Sequence, residues 1–493
     1  MPRAHTNRSA GVTIILRLVL ALVIALLIAS RPARSGGFLK ISAGGTIFKW
    51  DNSSMLPLDL DGGPLGGLSA LQAQTLVEDA ISIWEQPTLD LGFATTTPTG
   101  QLTADGDVDT ASEFQGLIGE LQGGSTSIHN AIVFDDDSTV IESHFGAGSA
   151  DDVLGFALII RSNAAAAEIT HTVQVYNGRC VEDSGCGAGE ITQQDLIDTV
   201  VHEQGHVLNL DHVQVNGQWF FGDTDDPGFA KYGAPPPNAG AVNLMFPLVL
   251  ASSQYASDLG RDELAAAEHL YGNAMSPATG VISGTVYRSD GFTPLQGVNV
   301  IARNTSDPFF DATSSVSGYR FPTTALATGT PQPPCPPSTP PTLHGGFDLR
   351  GLMPGESYTV EAVAVTSQFI CGSSVGPLER PVGFPDEEFY TLAEGAKDAT
   401  DPANFTAVTI PGSGSANVYG IDLVQSCRAG NQTISAQTIT GDAYFDACAT
   451  LTAASGVVVS TGGRAVLAAD RVVLRSGFRV AAGGRLVVRP LSE

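Results

Sequence analysis

Apolar positions recur along this chain with changing spacing, and each change of spacing marks a part of the protein. The first apolar feature is the run at 11–29 (GVTIILRLVLALVIALLIA), broken only by Arg17, led by Arg3 and Arg8, and followed by small residues and Arg over 30–36. A basic lead, an apolar stretch and a small-residue exit are the layout of a secretory signal, with cleavage expected within 30–36 and a retained membrane anchor as the second reading. Beyond it, short apolar runs predict strands at 55–61, 89–95, 131–134, 153–161 and 169–176. Ser69 and Gln72 form a capping box for a helix whose apolar face is Leu76, Val77, Ala80, Ile81 and Trp84. Thr192 and Asp195 open a second helix, LIDTVVHEQGHVLNL, and a third over 261–271 stops at Gly272, read as a C′ glycine. One helix, a set of strands, a second helix and a last helix predict an α+β domain ending near 275.

From residue 280 the pattern becomes β. ISGTVYRSDGFTPLQGVNV and FDLRGLMPGESYTV alternate in polarity and turn at Gly and Pro, as a β-sandwich does. A Pro-rich stretch at 328–341 reads as a loop inserted in it. Near 427 a third texture begins: VSTGGRAV at 459 recurs as VAAGGRLV at 480, an offset of 21 residues. Short strands with Gly turns at a fixed period predict a small stacked β-repeat. The expected organisation is an export segment at 1–35, an α+β domain at 36–276, a β-sandwich at 279–425 and the repeat module at 427–493.

The formal net charge of −27 argues against nucleic acid or an anionic membrane surface as partner. The repeat module runs against that balance, with Arg464, Arg471, Arg475, Arg479, Arg485 and Arg489. Its arginines suit a surface- or matrix-binding module and solvated positions equally well. The 6 cysteines agree with export, and nearest-neighbour pairing (Cys180–Cys186, Cys335–Cys371, Cys427–Cys448) is the simplest arrangement. A zinc–thiolate site is disfavoured because no Cys-x-x-Cys pair is present.

The chemistry is concentrated in HEQGHVLNLDH. His202 and His206, four residues apart, project from one face of a helix and supply two imidazoles to one metal ion. A third ligand has to come from outside the helix, and His212 reaches back if the chain turns sharply at Asn209, a residue that tolerates the left-handed conformation. Three protein ligands leave a fourth position for water, the arrangement of a catalytic Zn2+ site. Glu203, next to the first ligand, is placed to take that water's proton as general base.

HEQGHVLNLDH resembles the metzincin signature HExxHxxGxxH, with Asn209 where Gly is usual. NLMFP, with Met245 downstream of His212, looks like the methionine turn of that family in its matrixin form. LGRDELAAAEHLYG at 259–272 is similar to the last matrixin helix, and DVLGFA at 152–157 to the edge strand that pairs with extended substrate. The resemblance covers residues 45–275. It implies a metzincin-type catalytic domain and a secreted zinc metalloendopeptidase, with a protein or peptide substrate along 152–158. No cysteine precedes the domain and little chain separates 36 from Trp50, so the cysteine switch of matrixins is not expected. Residues 280–425 resemble a carboxypeptidase regulatory-like domain, which implies a spacer or binding role.

Matrixins also hold structural Ca2+, for which the Asp135, Asp136, Asp137 run is the candidate, with the DGDVD loop (Asp105, Asp107, Asp109) beside it. Neither completes an EF-hand, and solvated turn residues are the competing reading. His144 and His171 read as ordinary surface or strand residues. Two other functions compete with the endopeptidase: an extracellular adhesin that uses a protease-like fold for attachment, and an exopeptidase suggested only by the regulatory-like domain. Retention of all three ligands and of Glu203 argues against the first, and a different ligand motif against the second.

Overall fold

The computed structural model describes residues 37–42, 46–95, 102–184, 186, 189–222, 227–235, 239–248, 250, 258–318, 345–366, 387–397, 404–412 and 417–492. The export segment, the Pro-rich stretch, Cys335 and Cys371 lie outside them. No helix among the described residues is long and apolar enough to cross a membrane.

The chain is a mixed α and β protein of the α+β class. Its first sheet has six strands: β1 (Lys49–Trp50), β2 (Leu56–Leu60), β3 (Phe93–Thr95), β4 (Asn130–Asp135), β5 (Gly155–Asn163) and β6 (Glu168–Asn177). Pairing is parallel for β3–β2, β2–β4, β4–β6 and β1–β6, whereas β5 runs antiparallel along β6 and pairs with no other described strand. All of β4 is buried, because helices cover both faces of the sheet. Ile132 and Phe134 face the core shared with α1 (Ala70–Ile81) and α4 (Gln193–Val207). Ala131 and Val133 face a second core formed with α2 (Ala111–Gly123) and α3 (Thr139–Phe145).

That second layer corrects the three-helix expectation. Thr110 and Glu113 form a capping box for α2, with Glu113 N donating to Thr110 Oγ1 at 3.2 Å. Phe114, Leu117 and Leu121 make its buried stripe. Three glycines within α2 lower its helix propensity, so the cap and stripe were its only local signals. The strand expected at 89–95 shortens to β3. The last helix, α5 (Arg261–Tyr271), does stop at Gly272, but Gly272 is extended (φ −62°, ψ 142°) rather than left-handed. Glycine is needed there for space, since a Cβ would run into the Glu268 carbonyl oxygen.

The β-sandwich places β7 (Gly280–Tyr287), β10 (Gly346–Leu352), β14 (Asn417–Tyr419) and β15 (Leu423–Val424) in one sheet. The other holds β8 (Val298–Asn304), β9 (Ala312–Val316), β11 (Ser357–Ala364), β12 (Glu388–Phe389) and β13 (Val408–Thr409). Beyond Cys427, two parallel sheets stack the repeats, and the 21-residue offset appears as Val458 beside Arg479 and Arg464 beside Arg485. Disulfides join Cys180 to Cys186 and Cys427 to Cys448.

Candidate metal centre

Helix α4 starts where Thr192 Oγ1 accepts from Asp195 N at 3.3 Å and Asp195 accepts from Thr192 N at 3.0 Å. It ends in two backbone bonds across a turn, Asn209 N to the His206 carbonyl at 2.9 Å and Leu210 N to the Gly205 carbonyl at 2.9 Å. Asn209 between them has φ 76°, the left-handed conformation, and this reversal returns the chain along the helix face. Asparagine also does here what glycine could not. Its Oδ1 accepts from Lys40 N at 2.6 Å, and its Nδ2 donates to the carbonyls of Lys40 at 3.0 Å and Phe48 at 2.7 Å. The remaining carbonyls at the helix end take indole and phenol donors: Trp50 Nε1 to Val207 at 2.9 Å and Tyr271 OH to Leu208 at 3.2 Å.

His202, His206 and His212 converge at this reversal. His212 Nε2 lies 3.1 Å from His202 Nε2 and 3.0 Å from His206 Nε2. The tautomers follow from the partners, because a carbonyl can only accept. His202 Nδ1 donates to Leu244 O at 2.7 Å and His206 Nδ1 to Leu210 O at 2.8 Å, so the Nε2 atoms of both neutral rings carry lone pairs toward His212. Burial pushes His202 down to about 4 and His206 down to about 3, so both stay neutral at ordinary pH. Neutral imidazoles with convergent Nε2 atoms and oriented Nδ1–H groups fit a divalent metal ion, and theirs is the one such ligand cluster among the described residues.

Glu203 is buried beside them, and burial pushes its carboxyl up to about 8, while a bond from Ala157 N on β5 pulls the other way. Its Oε2 has no hydrogen-bond partner among the described residues. Gln204, the next residue, accepts from Gln174 Nε2 at 3.0 Å, and Gln174 accepts from Tyr176 OH at 2.6 Å, which ties the helix to β6.

Met245 packs beneath the helix at Gly205, where a Cβ would run into the Met245 sulfur. Sequence reasoning passed over Gly205, as it did Glu263. The Glu263 carboxylate accepts from Met245 N at 2.9 Å and from Gly260 N at 2.6 Å, fixing the turn at Met245 to α5. The adjacent Asp262 accepts from Ser314 N at 2.7 Å on the β-sandwich.

Burial pushes both Asp262 and Glu263 up to about 7, above the usual carboxylate range. They therefore hold protons more tightly in the folded state. The stability they supply is complete below about pH 4 and is lost as pH rises through about 7. The thermal unfolding midpoint should fall as pH rises from about 4 to about 7, and Asp262→Asn should flatten that fall. A slope unchanged by the substitution would show that Asp262 is not its source.

The other sequence-selected residues do not join the triad. Asp135 accepts from Val140 N at 3.0 Å and Ile141 N at 2.7 Å, Asp136 from Gly66 N at 2.7 Å, and Asp137 from Thr139 N at 2.9 Å. These carboxylates anchor α3 and a neighbouring loop and do not converge on a shared ligand position. His144 sits on α3, not on a strand, stacked on Phe156 with centroids 5.0 Å apart. His171 is buried in β6, with Nε2 2.9 Å from the Ser125 carbonyl. No protein-family model, curated protein or solved structure matches the chain.

Proposed function

We propose that this chain is a secreted zinc metalloendopeptidase of metzincin, matrixin-like type, cleaving internal peptide bonds of protein substrates. The observation that carries the reading is the convergence of three imidazole Nε2 atoms beside a buried, half-satisfied glutamate. His202, His206 and His212 hold the metal, and zinc suits an all-imidazole site with room for a further ligand. When bound, zinc supplies Lewis acidity, acidifying water and polarising a carbonyl.

The protein's own groups do the rest. The edge of β5 away from β6, unpaired among the described strands, receives extended substrate by backbone pairing, which aligns the scissile bond along the strand. Because Ala157 N donates to Glu203, the general base is held against that same edge. Glu203 Oε2, which meets no donor among the described residues, accepts the proton of the attacking water and returns it to the leaving amine once the charge of a bound cation offsets the burial and leaves the carboxylate ionised.

The full chain, purified from an oxidising compartment, should carry one zinc per molecule and cleave casein at internal bonds. Chelation should abolish cleavage, and added zinc should restore it. Zinc-free protein with chelator-resistant cleavage would sink the proposal, and stepwise trimming from one terminus would reassign it to an exopeptidase.

A further inference from the structure

We infer that the β-sandwich is part of the metal centre: buried Arg303, acting through Asn216, positions the segment that carries His212. This rests on the metal-site reading above. From His212 the chain runs straight onto the sandwich. Val213 N donates to the Met245 carbonyl at 3.0 Å, linking the ligand segment to the methionine turn. Gln214, fully buried, donates through Nε2 to the Ala364 carbonyl at 3.0 Å and accepts from Thr366 N at 3.1 Å. Val215 closes a small core with Ile301, Ala312 and Val363. Asn216, at φ 67°, donates through Nδ2 to the carbonyls of Ala241 at 2.7 Å and Phe309 at 2.8 Å.

Arg303 completes the joint. Its Nη1 donates to Asn216 Oδ1 at 2.6 Å and to the Pro308 carbonyl at 3.2 Å, while its Nε pairs with Glu361 at 2.6 Å. The guanidinium carbon lies 4.5 Å from the centre of the Trp219 ring, so the cation meets the aromatic face of the site segment. Both members of the Arg303–Glu361 pair are fully buried. Removing two charges from water is expensive, and an apolar pair would join two layers at least as firmly. A guanidinium adds direction, because its rigid fork fixes Asn216 and Glu361 in one plane. Asp262 on Ser314 gives the sandwich a second hold, next to the Glu263 that fixes Met245. A spacer domain needs neither hold.

Two full-length variants test this. In Asn216→Gly the positive φ remains accessible, so the loss is confined to the side-chain bonds. In the double variant Arg303→Met/Glu361→Leu both charges go together, which leaves no orphaned ion. Ser357→Ala, at a half-buried sandwich position outside this joint, is the control. Zinc affinity is read by competition with a chromogenic chelator, and apo-protein stability by the thermal midpoint. We expect both variants to bind zinc on the order of tenfold more weakly, as second-layer changes do. The double variant should keep a near wild-type midpoint, and Ser357→Ala should match wild type in both readouts. A lowered midpoint with unchanged zinc affinity in both variants would overturn the positioning role and leave the metal site standing. A wild-type protein that binds no zinc would overturn the metal-site reading, and this inference with it.

Discussion

Glu203→Gln should leave zinc content unchanged and lower kcat on casein by about 10²- to 10⁴-fold, the range general-base catalysis supplies. The amide has the size of the carboxylate, and its oxygen can still accept from Ala157 N, so helix and ligands keep their places. Only the proton acceptor is lost. KM should change little, because substrate binding is assigned to the β5 edge. Metal analysis beside steady-state kinetics separates the outcomes. Equal kcat in variant and wild type would remove Glu203 from the chemistry, and lost zinc would mean that the substitution disturbed the site.

The second large effect concerns packing. Gly205→Ala should destabilise the protein by about 1–3 kcal/mol, the usual magnitude for overfilling a core. Helix propensity pushes the other way, favouring Ala over Gly by about 1 kcal/mol in a helix interior. The steric term should win because the added methyl has nowhere to go. It would strike the Met245 sulfur, with Met245 Cε and Trp84 Cζ2 each 3.1 Å away, and both side chains are buried. Displacing Met245 also moves the neighbouring Leu244 carbonyl that orients His202, so zinc affinity should fall with the thermal midpoint. A variant more stable than wild type would show that propensity outweighs this contact.

Arg303 changes what the β-sandwich is for. From sequence it is an attachment carrying no catalytic residues. In the fold, Gln214, Val215 and Asn216, the residues just past His212, find their partners there. Removing the sandwich would therefore expose one wall of the site segment.

The sequence by itself determined what depends on neighbours within a few residues. The i, i+4 spacing of His202 and His206, the capping boxes at Ser69 and Thr192, and the asparagine that turns the chain toward His212 all operate within one or two helical turns. Alternating polarity marked the strands for the same reason, although their ends moved by a few residues. The tertiary structure alone decided the rest. The Gly205–Met245 contact, the Glu263 bond to the methionine turn, and the Arg303–Asn216 bond 87 residues apart in the chain join segments that no local period connects. Asp135, Asp136 and Asp137 show the converse. Their spacing suggested a cation, but a carboxylate's role is set by which donors the fold brings to it, and here those donors are backbone N–H groups. The residues of HEQGHVLNLDH were legible because a helix and the turn at its end place them; what holds them in place was not, because it arrives from distant parts of the chain.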